Sequence, residues 1–192
     1  MYIEVNMSKD DSVNYGPLAG LIGQWQGKKG TDIAPEPDGI ETNLYYETIT
    51  FTPAGDVSNA ESQCLSAVHY MQQVQRISNN KIIHRETGYW MFDASDNSVM
   101  HSLIIPRGIC VLAGGRVDTS KTDSLVFDVQ ASIEKGDWQV IQSPFMLKNA
   151  KMTHYVQQLI LQADTLSYTQ TMSLDIYGKA FEHTDESTLK RI

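Results

Sequence analysis

The sequence predicts an all-β protein: an antiparallel up-and-down β-barrel of about ten strands with one short helical turn near the N-terminus. Three observations lead there. Stretches with apolar residues at i, i+3, i+4 and i+7 are almost absent. Alternating or continuously apolar runs of strand length recur along the chain, and turn residues separate them at fairly even spacing. Long connections are few, which favours a meander over a Greek key.

The elements follow in order. Pro17-Leu-Ala-Gly-Leu-Ile22 reads as one or two helical turns, with Pro17 at a first helical position and Gly23 as the stop. Gln24–Lys29 is a first strand, and Thr31–Thr42, with its prolines and acidic residues, reads as an exposed loop. Tyr45–Phe51 alternates, placing Tyr45, Glu47, Ile49 and Phe51 on one face with Glu47 as the misfit, and Pro53–Asp56 reads as a turn. Gln63–Arg76, Ile82–Phe92, Val99–Ile105, Ile109–Ala113, Leu125–Ile133 and the short Trp138–Ile141 follow as strands. Met152–Leu161 and Leu166–Leu174 form a last hairpin around Ala163-Asp164. Residues 1–14 read as a loose polar arm, and 15–192 as a single barrel domain.

Closure removes sheet edges, and a barrel of about ten strands is too wide for side chains to fill, so its default use is to hold a small ligand. Composition narrows the partners. Of 192 residues, 15 are Lys or Arg and 23 Asp or Glu, a net charge of −8, which disfavours phosphate backbones and hence nucleic acid. No run reaches the ~20 apolar residues of a membrane helix. The N-terminus shows no apolar signal core behind a basic start, so a cytoplasmic location is expected. The expected partner is a small molecule in the cavity, with a second copy of the chain, in a homodimer, as the other candidate. Cys64 and Cys110 have no metal-ligand spacing and read as reduced thiols.

Five histidines are the candidate ligands: His69, His84, His101, His154 and His183. None forms His-x-His or His-Glu-x-x-His, which argues against zinc. Alternate strand residues face a barrel's interior. On that basis His69 and Met71, which share a face, are expected to line the cavity, and His101 is a further inward candidate. Glu86 lies in an apolar strand on the face opposite Arg85, so it is expected either to pair with Arg107 or Arg116 in the interior or to stand as a solvated charge on the outer face. Trp25 is expected to plug the closed end. Gly27-Lys-Lys-Gly30 lacks the phosphate-loop pattern and reads as a strand end, and Gly-x-Ser-x-Gly is absent. No catalytic constellation is visible.

Several stretches, taken together from about residue 16 to the C-terminus, resemble the nitrobindin family, haem-binding β-barrels akin in shape to lipocalins and fatty-acid-binding proteins. They are Gly23-Gln-Trp-Gln-Gly27, Tyr45-Tyr-Glu-Thr-Ile-Thr-Phe51, His84-Arg-Glu-Thr-Gly-Tyr-Trp90, Leu166-Ser-Tyr-Thr-Gln-Thr-Met172, and His183 ahead of Leu189-Lys-Arg191. The resemblance implies a ten-stranded barrel holding haem b at one open end. It makes His183, close after the last strand, the proximal iron ligand and His84 a distal-side residue. It also implies nitric oxide binding and isomerisation of peroxynitrite to nitrate. The residues around His183 qualify this: Glu182, Asp185 and Glu186 favour the imidazolium, whereas a metal ligand must be neutral. The alternative is a non-enzymatic carrier of a fatty acid or other apolar ligand, with Arg85 or Arg107 fixing its carboxylate.

Overall fold

Period-two alternation sends one face of each strand inward, and the sheet so formed closes on itself. The computed structural model describes residues 13–120, 123–134 and 136–192. Residues 1–12 of the expected N-terminal arm lie outside the described residues. A 3₁₀ helix, Gly16–Leu21, precedes β1 (Gly23–Glu36), β2 (Gly39–Ala60), β3 (Gln63–Arg76), β4 (Ile82–Asp93), β5 (Ser98–Ile105) and β6 (Ile109–Asp118). Then come β7 (Leu125–Ser132), β8 (Gln139–Gln142), helix α1 (Pro144–Asn149), β9 (Ala150–Gln162), β10 (Thr165–Ile176) and β11 (Lys179–Arg191). Around the barrel the order is β1-β11-β10-β9-β7-β8-β6-β5-β4-β3-β2. The expected all-β barrel is therefore the fold, antiparallel and up-and-down except where β8 lies between β7 and β6 and meets β7 in parallel at Ser132↔Gln139. No helix of the described residues is long and apolar enough to cross a membrane.

The differences from expectation have physical reasons. There are eleven strands rather than about ten, because Lys179–Arg191 is a full strand whose inward row, His183, Asp185 and Ser187, is polar until Leu189. Thr31–Thr42 is not a loop: β1 and β2 run on as a paired hairpin from Thr31↔Leu44 to Glu36↔Gly39. Pro53–Asp56 is not a turn but an irregularity within β2, which shifts register between Pro53 and Gly55 and continues to Ala60. Strand β6 is shared, with β7 along Gly114–Asp118 and β8 along Ile109–Leu112. Helix α1 starts at Pro144 behind Ser143, whose hydroxyl accepts from the Met146 amide.

The two ends differ. At the closed end Trp25 is fully buried with Leu18, Leu21, Leu166 and Leu189, and its Nε1 donates to the Leu21 carbonyl at 2.7 Å. Arg191 lies over its ring, 4.1 Å from the centroid, and donates to the carbonyls of Gly20 and Ile22, both at 2.7 Å. The guanidinium thus satisfies carbonyls that the short helix leaves free. The plug role expected for Trp25 is observed. Trp25→Ala removes a fully buried indole and its hydrogen bond, so urea melts should show a loss of about 3–5 kcal/mol with a full-length, folded product.

Candidate functional site

The turns between β1 and β2, β3 and β4, β5 and β6, and β10 and β11 meet at the opposite end around a cavity of about 550 Å³. Its wall has two halves. Ile105, Ile109, Met146, Met152, Met172 and Leu174, from β5, β6, α1, β9 and β10, form an apolar arc. Strands β11 and β1–β4 form a charged arc that includes Asp32, Glu41, Arg76, His84, Glu86, His183 and Asp185.

His183 stands on the inward row of β11, and Asp32 comes to it from the segment of β1 expected to be a loop. Its Nε2 lies 2.7 Å from Asp32 Oδ1 and 3.7 Å from Asp185 Oδ2. Asp32 and Asp185 face one another across the ladder. Like charges in that register repel, and the imidazole sits between them. Burial favours the neutral ring, but the hydrogen bond to Asp32 and the charges of Asp185 and Asp32 outweigh it and raise the His183 pKa. Burial, with the Asp32 charge, also lifts the Asp185 carboxyl to about 6. Asp32 is held in turn: Asn43 Nδ2 donates to its Oδ2 at 2.8 Å and to Glu41 Oε2 at 3.1 Å. Of the carboxylates near His183 in sequence only Asp185 joins it. Glu182 accepts from Ser173, and Glu186 is exposed.

His84 and Glu86 project to the same face of β4, and His84 Nε2 donates to Glu86 Oε2 at 3.0 Å. Glu86 is buried and pairs with neither Arg107 nor Arg116. Its other oxygen accepts from Tyr70 at 2.7 Å, and the Tyr70 hydroxyl lies 2.8 Å from His101 Nε2. Because Tyr70 spends its proton on Glu86, His101 must donate from Nε2. Its Nδ1 is then an acceptor, 3.4 Å from the Tyr155 hydroxyl. Burial would raise Glu86, yet the hydrogen bond and charge of His84 dominate and lower it. Burial would lower His84, yet Glu86 raises it. His101, stacked on Trp90 at 4.2 Å, is lowered to about 4 by burial. Replacing Glu86 by Gln should drop the His84 pKa, read by NMR titration; an unchanged value would show that the pair does not control it.

A second buried acid lies beside the charged arc. Glu47 Oε2 accepts from Gln72 at 2.6 Å and Tyr168 at 3.0 Å. Burial pushes its pKa up to about 7, against the opposing effect of the hydrogen bonds from Gln72 and Tyr168. The unfolded chain ionises there near 4.5, so the stability Glu47 confers is full below that pH and is lost as pH rises through about 7. Glu47→Gln should therefore stabilise relative to wild type more at pH 8 than at pH 5. Thermal melts at both values check the sign.

The sequence-predicted residues thus divide. His183 and His84 line one cavity. His69 and Met71 are on the outer face of β3, where His69 Nε2 meets Thr87 Oγ1 at 2.8 Å and Met71 is exposed. The inward row of β3 is instead Tyr70, Gln72, Val74 and Arg76. His101 does face inward, deep in the core. Arg85 is outside, bonded to Gln73, while Arg107 lines the mouth. Cys64 and Cys110 are free and exposed. Asp32 and Arg76 are not singled out from sequence: Asp32 lies in the segment read as a loop, and Arg76 is the last residue of the strand read over Gln63–Arg76.

The comparisons with known proteins agree with this barrel. The family model described as a THAP4-like, heme-binding beta-barrel domain matches residues 14–191. The chain belongs to this family. Among solved structures, the chain is similar to Rv2717c from M. tuberculosis, with a TM-score of 0.71 and 21% identity, covering 93% of this chain and 99% of that one. No curated protein matches the sequence. The expected kinship with haem-binding barrels is thereby borne out, and haem is the cofactor that family membership implies.

The residues at the mouth fit such a group. A planar, largely apolar macrocycle needs an apolar wall, which β5–β10 supply. An iron ligand needs an imidazole nitrogen free of other partners. Among the described residues Asp32 takes His183 Nε2, and nothing hydrogen-bonds Nδ1. A carboxylate on one ring nitrogen, orienting the other, is the usual support of a metal-ligating histidine.

Proposed function

We propose that this chain binds haem b in the mouth cavity, with His183 as the protein ligand to iron and His84 lining the same cavity. The observation that carries the reading is the placement of His183: inside the cavity, fixed by Asp32, and sharing the space with a largely apolar arc. His69 and Met71, on the outer face, have no part in it. When bound, the group would supply an iron centre with a coordination position left for a small ligand such as nitric oxide or peroxynitrite. The chain's own residues bind, orient and exclude water. Asp32, braced by Asn43, keeps the imidazole in one orientation. The side chains of Met146, Met152 and Met172 cover the apolar side. His84, whose pKa Glu86 raises against the effect of burial, lines the cavity that an anion would enter.

Ferric haem added to the purified protein should give a saturable Soret shift. His183→Ala should abolish that shift, while His69→Ala and Met71→Ala leave it unchanged. A shift that survives His183→Ala removes the histidine from the role.

A further inference from the structure

Arg76 is the residue of the charged arc with hydrogen-bonding capacity to spare. Alternation along β3 puts it on the inward row at the mouth, directly across from the buried Tyr45. The turn after it folds back, with the Arg76 amide bonded to the Lys81 carbonyl at 2.9 Å and the Asn80 amide to the Arg76 carbonyl at 2.9 Å. That brings Lys81 to the same rim, and both side chains line the cavity. The guanidinium has one acidic partner, Glu41, 3.3 Å from Nη2. Its Nε is buried and has no acceptor among the described residues. A buried N–H left unmade costs free energy that an acceptor would recover. The existing pair is half-exposed on both sides, at 26% and 39%, so it contributes little and is easily exchanged.

We propose that Arg76, with Lys81 beside it, is the anchor for a carboxylate of the cavity ligand, and that Glu41 occupies this anchor in the empty protein. The inference rests on the cavity as the ligand site and names the group that its ligand must carry. The planar fork of Arg76 suits a carboxylate, which can accept from two of its N–H groups at once. An incoming carboxylate displaces Glu41, since two anions do not share one guanidinium at a rim this crowded with acids. Glu41 is also tied to Asn43, and Asn43 to Asp32 beside His183. The anchor and the histidine are therefore two ends of one hydrogen-bonded wall, and a ligand that reaches both is read at two points.

Two ligand classes carry such a group, a porphyrin with its propionates and a fatty acid. Metal-free protoporphyrin IX and its dimethyl ester separate the anchor from iron ligation. By fluorescence titration of the full chain, Arg76→Gln should weaken protoporphyrin IX binding about tenfold or more, and leave the ester's affinity unchanged. Glu41→Gln should strengthen binding of the acid and not of the ester. Equal effects of Arg76→Gln on acid and ester, or no effect on either, overturn the anchor. If wild type binds neither porphyrin, the haem reading is still decided by the ferric-haem titration, and displacement of a fluorescent fatty acid decides the anchor alone: weakened by Arg76→Gln, it stands; unaffected or unbound, it falls. Thermal melts of both variants confirm that the folded protein is being compared.

Discussion

The buried carboxylate of Glu86 is the constraint on which the interior is arranged. It is a charge inside a barrel, 5% exposed, and it persists only because donors converge on it. His84 and Tyr70 donate to it directly, His101 donates to Tyr70, and Tyr155 lies behind His101. The protons on His84 Nε2, the Tyr70 hydroxyl and His101 Nε2 have their positions dictated by this one anion. The tautomer of His101, the rotor of Tyr70 and the charge on His84 are set together. The same rings make the core: His101 stacks on Trp90, and Trp90 meets Phe127 edge-on at 5.7 Å. A polar network and an apolar core thus share side chains, and the outermost member of the network, His84, reaches the cavity.

The charged arc obeys a related rule at smaller scale. Asp32 and Asp185 are neighbours across a ladder, an arrangement that by itself opposes folding. The imidazole of His183 relieves it, and Asn43 gives Asp32 a further donor. The wall is stable because each acid has a donor nearby. Its composition, acids interleaved with a few bases, lets it hold a cationic centre or a ligand's carboxylate, depending on which residue is met. The apolar arc, built from Ile105, Ile109, Met146, Met152, Met172 and Leu174, offers dispersion contacts without such charge discrimination.

The parts of the fold that were legible in the sequence are those whose inward rows are apolar. Leu125–Ser132 and the β9–β10 hairpin alternate in the ordinary way, and Trp25 just after a short Leu/Ile-rich turn marks the plug. Lys179–Arg191 and the outer halves of β1 and β2 were not legible as strands, because their inward residues are Asp32, Asn43, His183, Asp185 and Ser187. A pattern that looks for hydrophobicity every second residue does not register a strand whose buried face is polar. These are the strands that build the charged arc, so sequence reasoning lost the structure where the site begins. His69 and Met71 were placed on the wrong face for a different reason. Both faces of β3 are mixed, Tyr70 and Gln72 inside against His69 and Met71 outside, and parity alone gives no sign of which is which. His183 and His84 were found through the surrounding motifs and not through periodicity.

The plug of Trp25, the 3₁₀ helix and Arg191 has a consequence for how such a chain can change. Cohesion is concentrated at the end of the barrel farthest from the opening, where indole, leucines and guanidinium lock the termini of β1 and β11 together. The opening depends instead on ladder hydrogen bonds and replaceable polar pairs. Substitutions at the rim therefore draw little on the folding free energy, and the lineage can retune what enters the barrel while the far end keeps its shape. Architecture and selectivity are written in separate stretches of the same strands.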